Sequence, residues 1–151
     1  MKYLLDTNIY VEATRSDVNR GRFRSVFFPL LPATFLSAVV AYELMVNARD
    51  EETGDLVRAL VRPLVHTGRI IAPTFADWGE AARVITAIWK SEKGQRSKLP
   101  ALLNDVLIAL SARQIGATLL TYNRDDFLLI QRHVDFSLRA MTVQAVGGPG
   151  G

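Results

Sequence analysis

Short apolar runs that alternate with helix-patterned segments are the feature of this sequence that most restricts its fold. The apolar runs predict strands at residues 2–5, 33–36, 69–72, 117–121 and 136–142. The helical pattern covers residues 9–13, 38–48, 50–64, 74–93, 100–116 and 127–130. Such alternation is typical of an α/β domain with a mainly parallel central sheet. The two polar, basic stretches at 15–24 and 91–99 are predicted to be irregular loops.

The length and composition indicate one globular domain. The 151 residues are 49% hydrophobic and 22% charged, with a net charge of +3, so a disordered chain is excluded. We expect one domain over residues 1–145 and a glycine-rich tail over 146–151. The absence of cysteine excludes thiol chemistry and disulfide scaffolds. The sequence shows neither a membrane span nor a signal peptide, which predicts a cytoplasmic protein without a membrane partner.

Three carboxylates lie in apolar surroundings in the predicted elements. Asp105 occupies the middle of a helix, with apolar neighbours three and four residues away on both sides. Glu43 shows the same pattern in an earlier helix, and Asp6 follows the first strand. Taken alone, Asp105 could equally form a structural salt bridge, Glu43 could reach the helix rim, and Asp6 could cap a helix.

The three acids together predict a metal site. A buried, unpaired carboxylate costs several kcal/mol, and converging carboxylates repel one another. A hard divalent cation such as Mg²⁺ or Mn²⁺ removes both penalties, because it prefers oxygen ligands. Asp6 also lies at the carboxyl end of a strand, where open parallel sheets bind their ligands. Such a cation can orient a phosphodiester and activate water for its hydrolysis.

Four segments resemble the motifs of PIN-domain ribonucleases, in the order of that family. They are residues 4–8 (LLDTN), 37–44 (SAVVAYEL), 104–109 (NDVLIA) and 121–127 (TYNRDDF). Within the family, the chain is similar to the toxins of VapBC-type toxin–antitoxin pairs, which are single domains of this size. The resemblance implies a three-layer α/β/α fold, a metal-dependent endoribonuclease acting on RNA, a homodimer and a cognate antitoxin. In that family, the C-terminal segment of the antitoxin blocks the active-site groove.

The resemblance also assigns roles to individual residues. It makes Asp6, Glu43 and Asp105 the catalytic acids that bind Mg²⁺ or Mn²⁺. The fourth family position, often acidic, is Asn123 here, and Asp126 (or Asp125) could supply the missing carboxylate or could cap a helix instead. Three further polar residues are expected either to orient the carboxylates or only to form turns, namely Thr7, Asn8 and Thr121.

Candidate RNA contacts and competing functions complete the predictions. Three arginines are candidate ligands of RNA phosphates, against the alternative of a solvated surface: Arg20, Arg22 and Arg124. Exposed apolar residues on the helices between residues 39 and 64 are candidates for a dimer or antitoxin surface. One competing function is a catalytically weak RNA-binding module on the PIN fold, supported by Asn123. Another is a phosphohydrolase of the haloacid-dehalogenase type, disfavoured because residues 6–8 lack a second aspartate.

Overall fold

Five parallel strands form the centre of the molecule in the computed structural model, which describes residues 1–143. Their order across the sheet is β3-β2-β1-β4-β5, and every pair of neighbours is parallel. The strands are β1 (Lys2–Leu5), β2 (Thr34–Ser37), β3 (Ile70–Ile71), β4 (Ala117–Thr121) and β5 (Ser137–Ala140). The mainly parallel sheet predicted from the sequence is confirmed. The expected glycine-rich tail at 146–151 lies outside the described residues.

Within residues 1–143, seven helices connect these strands and complete a three-layer α/β/α fold. They are α1 (Thr7–Thr14), α2 (Asp17–Val26), α3 (Ala38–Asn47), α4 (Glu51–His66), α5 (Phe75–Ser91), α6 (Leu99–Gln114) and α7 (Arg124–Gln131). Two 3-10 helices lie at Phe28–Ala33 and Lys93–Lys98. Side chains cap two of these helices: Ser37 accepts a hydrogen bond from the Val39 amide at the start of α3, and Thr74 forms a capping box with Asp77 at the start of α5. Gly116 follows α6 with a φ of 65°, a conformation that glycine adopts without strain.

The basic stretch at residues 15–24 is a helix, and its prediction as an irregular loop was wrong. The Ser16 hydroxyl caps α2 by accepting from the Asn19 amide at 3.1 Å. Asp17 lies in the first turn, where its negative charge interacts favourably with the helix dipole. It also forms an ion pair with Arg20 at 2.8 Å. Phe23 is the one buried residue of the helix. The helix contains three arginines and only one buried apolar side chain, so it lacks the broad apolar stripe by which a packed helix is recognised in a sequence.

The core lies where β1 and β4 meet α6. Leu4, Leu5, Leu119 and Leu120 are at most 1% exposed in the two central strands. Against them packs the C-terminal half of α6, whose residues 106–112 are all buried. Close packing therefore holds these two strands and this helix in place. The polar residues that adjoin the packed segments are positioned by the same packing. Within residues 1–143, no helix is long and apolar enough to span a membrane.

Candidate metal centre at the carboxyl edge of the sheet

Two adjacent strand ends position the first carboxylate. β1 and β4 pair in register, Leu5 opposite Leu120, and the Asp6 amide continues the ladder by donating to the Leu120 carbonyl at 2.9 Å. Thr121, at the end of β4, is fully buried and donates its hydroxyl proton to Asp6 Oδ2 at 2.7 Å. The Thr7 amide donates to Asp6 Oδ1, also at 2.7 Å. Both oxygens of the 4%-exposed Asp6 carboxylate are therefore held in place.

The second carboxylate reaches the same place from α3. Glu43 Oε1 accepts the hydroxyl proton of Thr7 at 2.6 Å, and Glu43 Oε2 lies 3.5 Å from Asn104 Nδ2. The apolar face predicted for Glu43 is only half correct. Val40 is fully buried, but Val46 is 57% exposed. Glu43 therefore lies at the rim of the buried face, from which its long side chain reaches inward.

The third carboxylate, Asp105, is electrostatically coupled to the others. It lies half-buried in α6. Burial, together with the charges of Asp6, Glu43 and Asp126, raises the pKa of its carboxyl group to about 8. Burial likewise raises the pKa of Asp6 to about 6, although the hydrogen bonds from Thr121 and Thr7 oppose that effect. The fold thus places like charges near one another, which disfavours ionisation of both groups.

The donor set suits a divalent cation that keeps part of its water shell. Within the described residues, no group of three acidic or histidine side chains is close enough to enclose a metal ion directly. In addition, the hydroxyl groups of Thr7 and Thr121 each bond one oxygen of Glu43 and Asp6, respectively. Mg²⁺ is commonly held by only one or two carboxylates and several waters. The residues present therefore fit such an ion, and the metal role of the three acids remains a prediction.

A polar network extends from the strand ends to α7. Asn123 donates through Nδ2 to Asp126 Oδ2 at 2.9 Å, and its amide donates to Thr121 Oγ1 at 2.9 Å. Asn8 donates to the same Thr121 hydroxyl at 3.3 Å, and its Oδ1 accepts from the Tyr122 amide at 3.3 Å. Asn123 is therefore uncharged itself, but its hydrogen bond orients the carboxylate of Asp126. Asp126 lies close enough to raise the pKa of Asp105, whereas Asp125 is exposed.

The three candidate phosphate ligands lie in different surroundings. Arg22 and Tyr122 line one cavity near the strand ends, and Arg124 is exposed at the start of α7. Arg20 instead lines an apolar groove between α2 and α4 and pairs with Asp17. Their RNA contacts remain predictions.

Sequence reasoning assigned no role to two residues at this site. Asn104 contacts Glu43 and is adjacent in sequence to Asp105, which is the signal that could have singled it out. Arg139 lines the same cavity as Arg22. No sequence pattern marks it, because only the pairing of β5 with β4 brings it there.

The chain is thus an α/β protein with a parallel sheet, and electrostatically coupled acids lie where its strands end. Open parallel sheets bind their ligands at this edge. The chain belongs to the PIN domain family, whose family model matches residues 3–133. PIN domains are in general nucleases. The resemblance seen in the sequence is thus confirmed at the level of the family. Among curated proteins, none matches the chain significantly.

Solved structures of similar fold come from toxin–antitoxin complexes. VapBC2 from Rickettsia felis, bound to a DNA fragment from its promoter, contains a chain that matches with a TM-score of 0.64 and 23% identity, over 93% of this chain and 99% of that chain. FitAcB from Neisseria gonorrhoeae matches with a TM-score of 0.63 and 20% identity, over 90% and 95%. DNA-bound VapBC from Salmonella typhimurium gives 0.60 and 18%, over 93% and 98%. At these identities the likeness concerns the fold.

Proposed function

We propose that this protein is a Mg²⁺- or Mn²⁺-dependent endoribonuclease that acts in the cytoplasm as the toxin of a toxin–antitoxin pair. The observation that carries the proposal is the coupling of three acids from distant parts of the chain. Thr7 bonds both Asp6 and Glu43, and the charges of these two acids contribute to the raised pKa of the Asp105 carboxyl group. A structural role would favour pairing each carboxylate with a cation, but none of the three has an ion-pair partner within residues 1–143.

In this proposal the acids bind the cation, and the surrounding residues orient them. Thr7 and Thr121 hold Glu43 and Asp6 through hydroxyl bonds of 2.6 and 2.7 Å. The bound cation supplies charge that stabilises the phosphate in the transition state and makes water a better nucleophile. One of the carboxylates accepts a proton from the attacking water. No covalent intermediate is required.

Cleavage of a mixed, structured RNA by the purified protein tests the activity. The reactions contain Mg²⁺, Mn²⁺ or EDTA, and Asp105→Asn serves as the control for contaminating ribonuclease. We expect discrete products that require metal and disappear in the variant. Equal cleavage by Asp105→Asn, or cleavage in EDTA, would contradict the proposed site.

A catalytically weak RNA-binding module is the second candidate function. Asn123 favours this function, because it occupies the position where the family often has an acid. Its side-chain amide donates a hydrogen bond to Asp126. Under this alternative the protein binds RNA without cutting it. Retained RNA binding with no metal-dependent cleavage, in protein shown to be free of a co-purified partner, would establish it.

An antitoxin partner is proposed from the fold neighbours, which come from VapBC and FitAB complexes. The surface that suits it is the groove between α2 and α4, with a volume of about 170 Å³. Its lining is mostly apolar, including the 58%-exposed Phe28, and Arg20 and Arg24 stand in it. An amphipathic helix with acidic flanks fits such a surface. Phe28→Glu is expected to prevent co-purification with the product of an adjacent reading frame while leaving RNA cleavage intact.

A homodimer is proposed through α3. Tyr42, Met45 and Val46 are 57%, 69% and 57% exposed on this helix, which is a cluster of apolar surface that isolated domains rarely leave in water. Met45→Lys is expected to convert a dimer to a monomer in analytical ultracentrifugation. A wild-type protein that is already monomeric at high concentration would refute this part of the proposal.

A further inference from the structure

A cavity of about 390 Å³ lies near the ends of β4 and β5, and its largely apolar and aromatic lining includes two arginines. Arg22 and Phe27 contribute from α2 and its end, Tyr122 from the turn after β4, and Arg139 and Met141 from β5 and its end. The cavity therefore opens at the carboxyl edge of the sheet, the same edge that carries Asp6. Neither the toxin role nor the metal site requires a cavity in this position.

Tyr122 connects this cavity to the acid cluster. Its amide is bonded to Asn8 Oδ1 at 3.3 Å, and its neighbours in sequence are Thr121, which holds Asp6, and Asn123, which holds Asp126. The ring is half-buried and lines the cavity. Burial and Glu12 raise the pKa of its phenol while Arg22 lowers it, so the guanidinium lies near the ring. The Tyr122 ring thus forms an aromatic wall of the cavity, one residue after Thr121 in the sequence.

The guanidinium groups of Arg22 and Arg139 offset part of the negative charge of the neighbouring acids. The acid cluster repels a polyanion such as RNA, and cations at its edge reduce that repulsion. Arg139 is exposed on β5 and has no ion pair within residues 1–143. Its guanidinium is therefore available to an incoming anion, and arginine matches the geometry of phosphate with paired hydrogen bonds. Arg22 stands in the same cavity.

We propose that this cavity is a nucleotide subsite, in which the base next to the cleaved bond stacks on Tyr122 and its phosphate binds Arg22 and Arg139. The chemistry is that of single-stranded RNA recognition, which uses aromatic stacking for the base and cationic side chains for the backbone. The inference rests on the proposed function and adds where the substrate strand lies. It selects unpaired nucleotides over duplex, because a paired base cannot stack inside the cavity.

Photocross-linking locates the base directly. An RNA oligonucleotide with 5-iodouridine at each position in turn is irradiated with the full-length Asp105→Asn protein in EDTA, and the adducts are mapped by mass spectrometry. Trypsin releases residues 114–124 as one peptide, in which Tyr122 is the only aromatic residue. We expect the adduct on this peptide, its retention in Tyr122→Phe and its loss in Tyr122→Leu. Adducts confined to the peptides of the exposed Trp78 or Trp89 would overturn the proposal.

Binding measurements test the guanidinium groups. In the Asp105→Asn background, Arg139→Ala is expected to weaken binding of a single-stranded oligonucleotide about tenfold, and Arg139→Lys to restore part of the loss. The matched control is Arg62→Ala, which removes the same charge from an exposed position on α4 and is expected to change binding less than about twofold. Equal losses for Arg139→Ala and Arg62→Ala would overturn a specific site.

The outcomes separate this inference from the proposed function. Metal-dependent cleavage without an adduct at residues 114–124 would leave the nuclease standing and remove the subsite. An adduct at Tyr122 without cleavage would keep the subsite and favour the RNA-binding module. A protein that binds no RNA would overturn both.

Discussion

The two halves of helix α6 differ sharply, and the difference shows how the protein separates stability from function. Residues 106–112 are all buried and pack on the central strands. Asn104 and Asp105, just before them, are half-buried and face Glu43 and the other acids. Residues 106–112, the apolar half, anchor the helix in the core. The pair Asn104–Asp105, which we call the polar half although residues 99–103 before it are apolar, carries one carboxylate whose ionisation burial opposes. Residues 106–112 therefore stabilise the fold, whereas the ionised carboxylate of Asp105, just before them, destabilises it.

Replacing Asp105 gives the largest expected effect on the polar half. Asp105→Asn removes a proposed metal ligand and is expected to reduce RNA cleavage at least about 1000-fold. Because the substitution also removes a partly buried charge, the metal-free variant is expected to be as stable as the wild type or more stable. Cleavage rates and urea unfolding, measured on the same preparation, check both parts. A variant that loses activity through unfolding would make Asp105 a structural residue instead.

A truncation in the apolar half is expected to act in the opposite way. Ile108 is fully buried, so Ile108→Ala creates a cavity and is expected to lower the free energy of unfolding by about 3–4 kcal/mol. Activity per folded molecule is expected to stay near the wild-type value. Arg113→Ala, at the exposed end of the same helix, is the control and is expected to cost less than about 0.5 kcal/mol. Urea denaturation with a parallel cleavage assay distinguishes the two halves.

The pH dependence of stability sharpens the comparison further. Asp105 has a pKa of about 8 and Asp6 one of about 6 in the folded protein, both above the ordinary value of 3.8. The folded state therefore holds protons that the unfolded chain releases. Their stabilising contribution is complete at low pH and is lost as the pH rises toward 8. In EDTA, we expect the free energy of unfolding to fall by roughly 5 kcal/mol between pH 5 and 9, with most of the change from Asp105.

Two further measurements identify the groups behind that pH dependence. The slope is expected to be shallower in Asp105→Asn, because the group with the highest pKa is gone. Saturating Mg²⁺ is expected to restore stability at pH 9, since a bound cation favours the ionised carboxylates. An identical slope in wild type and variant would show that other groups titrate.

The smallest expected effect concerns the residue that joins the two kinds of region. Thr121 ends a core strand and donates to Asp6 at 2.7 Å. Thr121→Val keeps the shape and removes the hydroxyl, and is expected to lower the free energy of unfolding by about 1 kcal/mol. The apparent affinity for Mn²⁺ is expected to weaken about tenfold. Calorimetric titration checks the affinity, and Thr118→Val, at a half-buried position of the same strand, is the control.

The strands and most helices could be predicted because their signals are local. Apolar runs mark Leu4 and Leu119, and the caps at Ser37 and Thr74 follow from side-chain chemistry. The electrostatic coupling of Asp105 to Asp6 and Glu43 could be anticipated because charged residues in apolar surroundings need a compensating interaction. These features depend on neighbours within a few positions, which a single sequence contains.

The features that escaped prediction depend on tertiary contacts. Helix α2 is held by one buried side chain, Phe23, and its capping by Ser16 is too weak a signal in a basic stretch. Arg139 reaches the cavity through the pairing of β5 with β4, and Glu43 owes its rim position to the docking of α3. None of these contacts leaves a periodic trace in the sequence, so a single chain without relatives cannot reveal them.

The central pairing of β1 with β4 also determines when during synthesis the acids at the sheet edge are brought into place. Asp6 and Thr121, which hold each other at the sheet edge, lie 115 positions apart in the chain. A growing chain on the ribosome carries Asp6 and Glu43 long before Asp105 and Thr121 emerge, and contacts between distant residues form late. An unfinished chain therefore has no complete acid cluster. The ribosome and messenger RNA that produce it are exposed to the assembled site only after translation has passed nearly the whole domain.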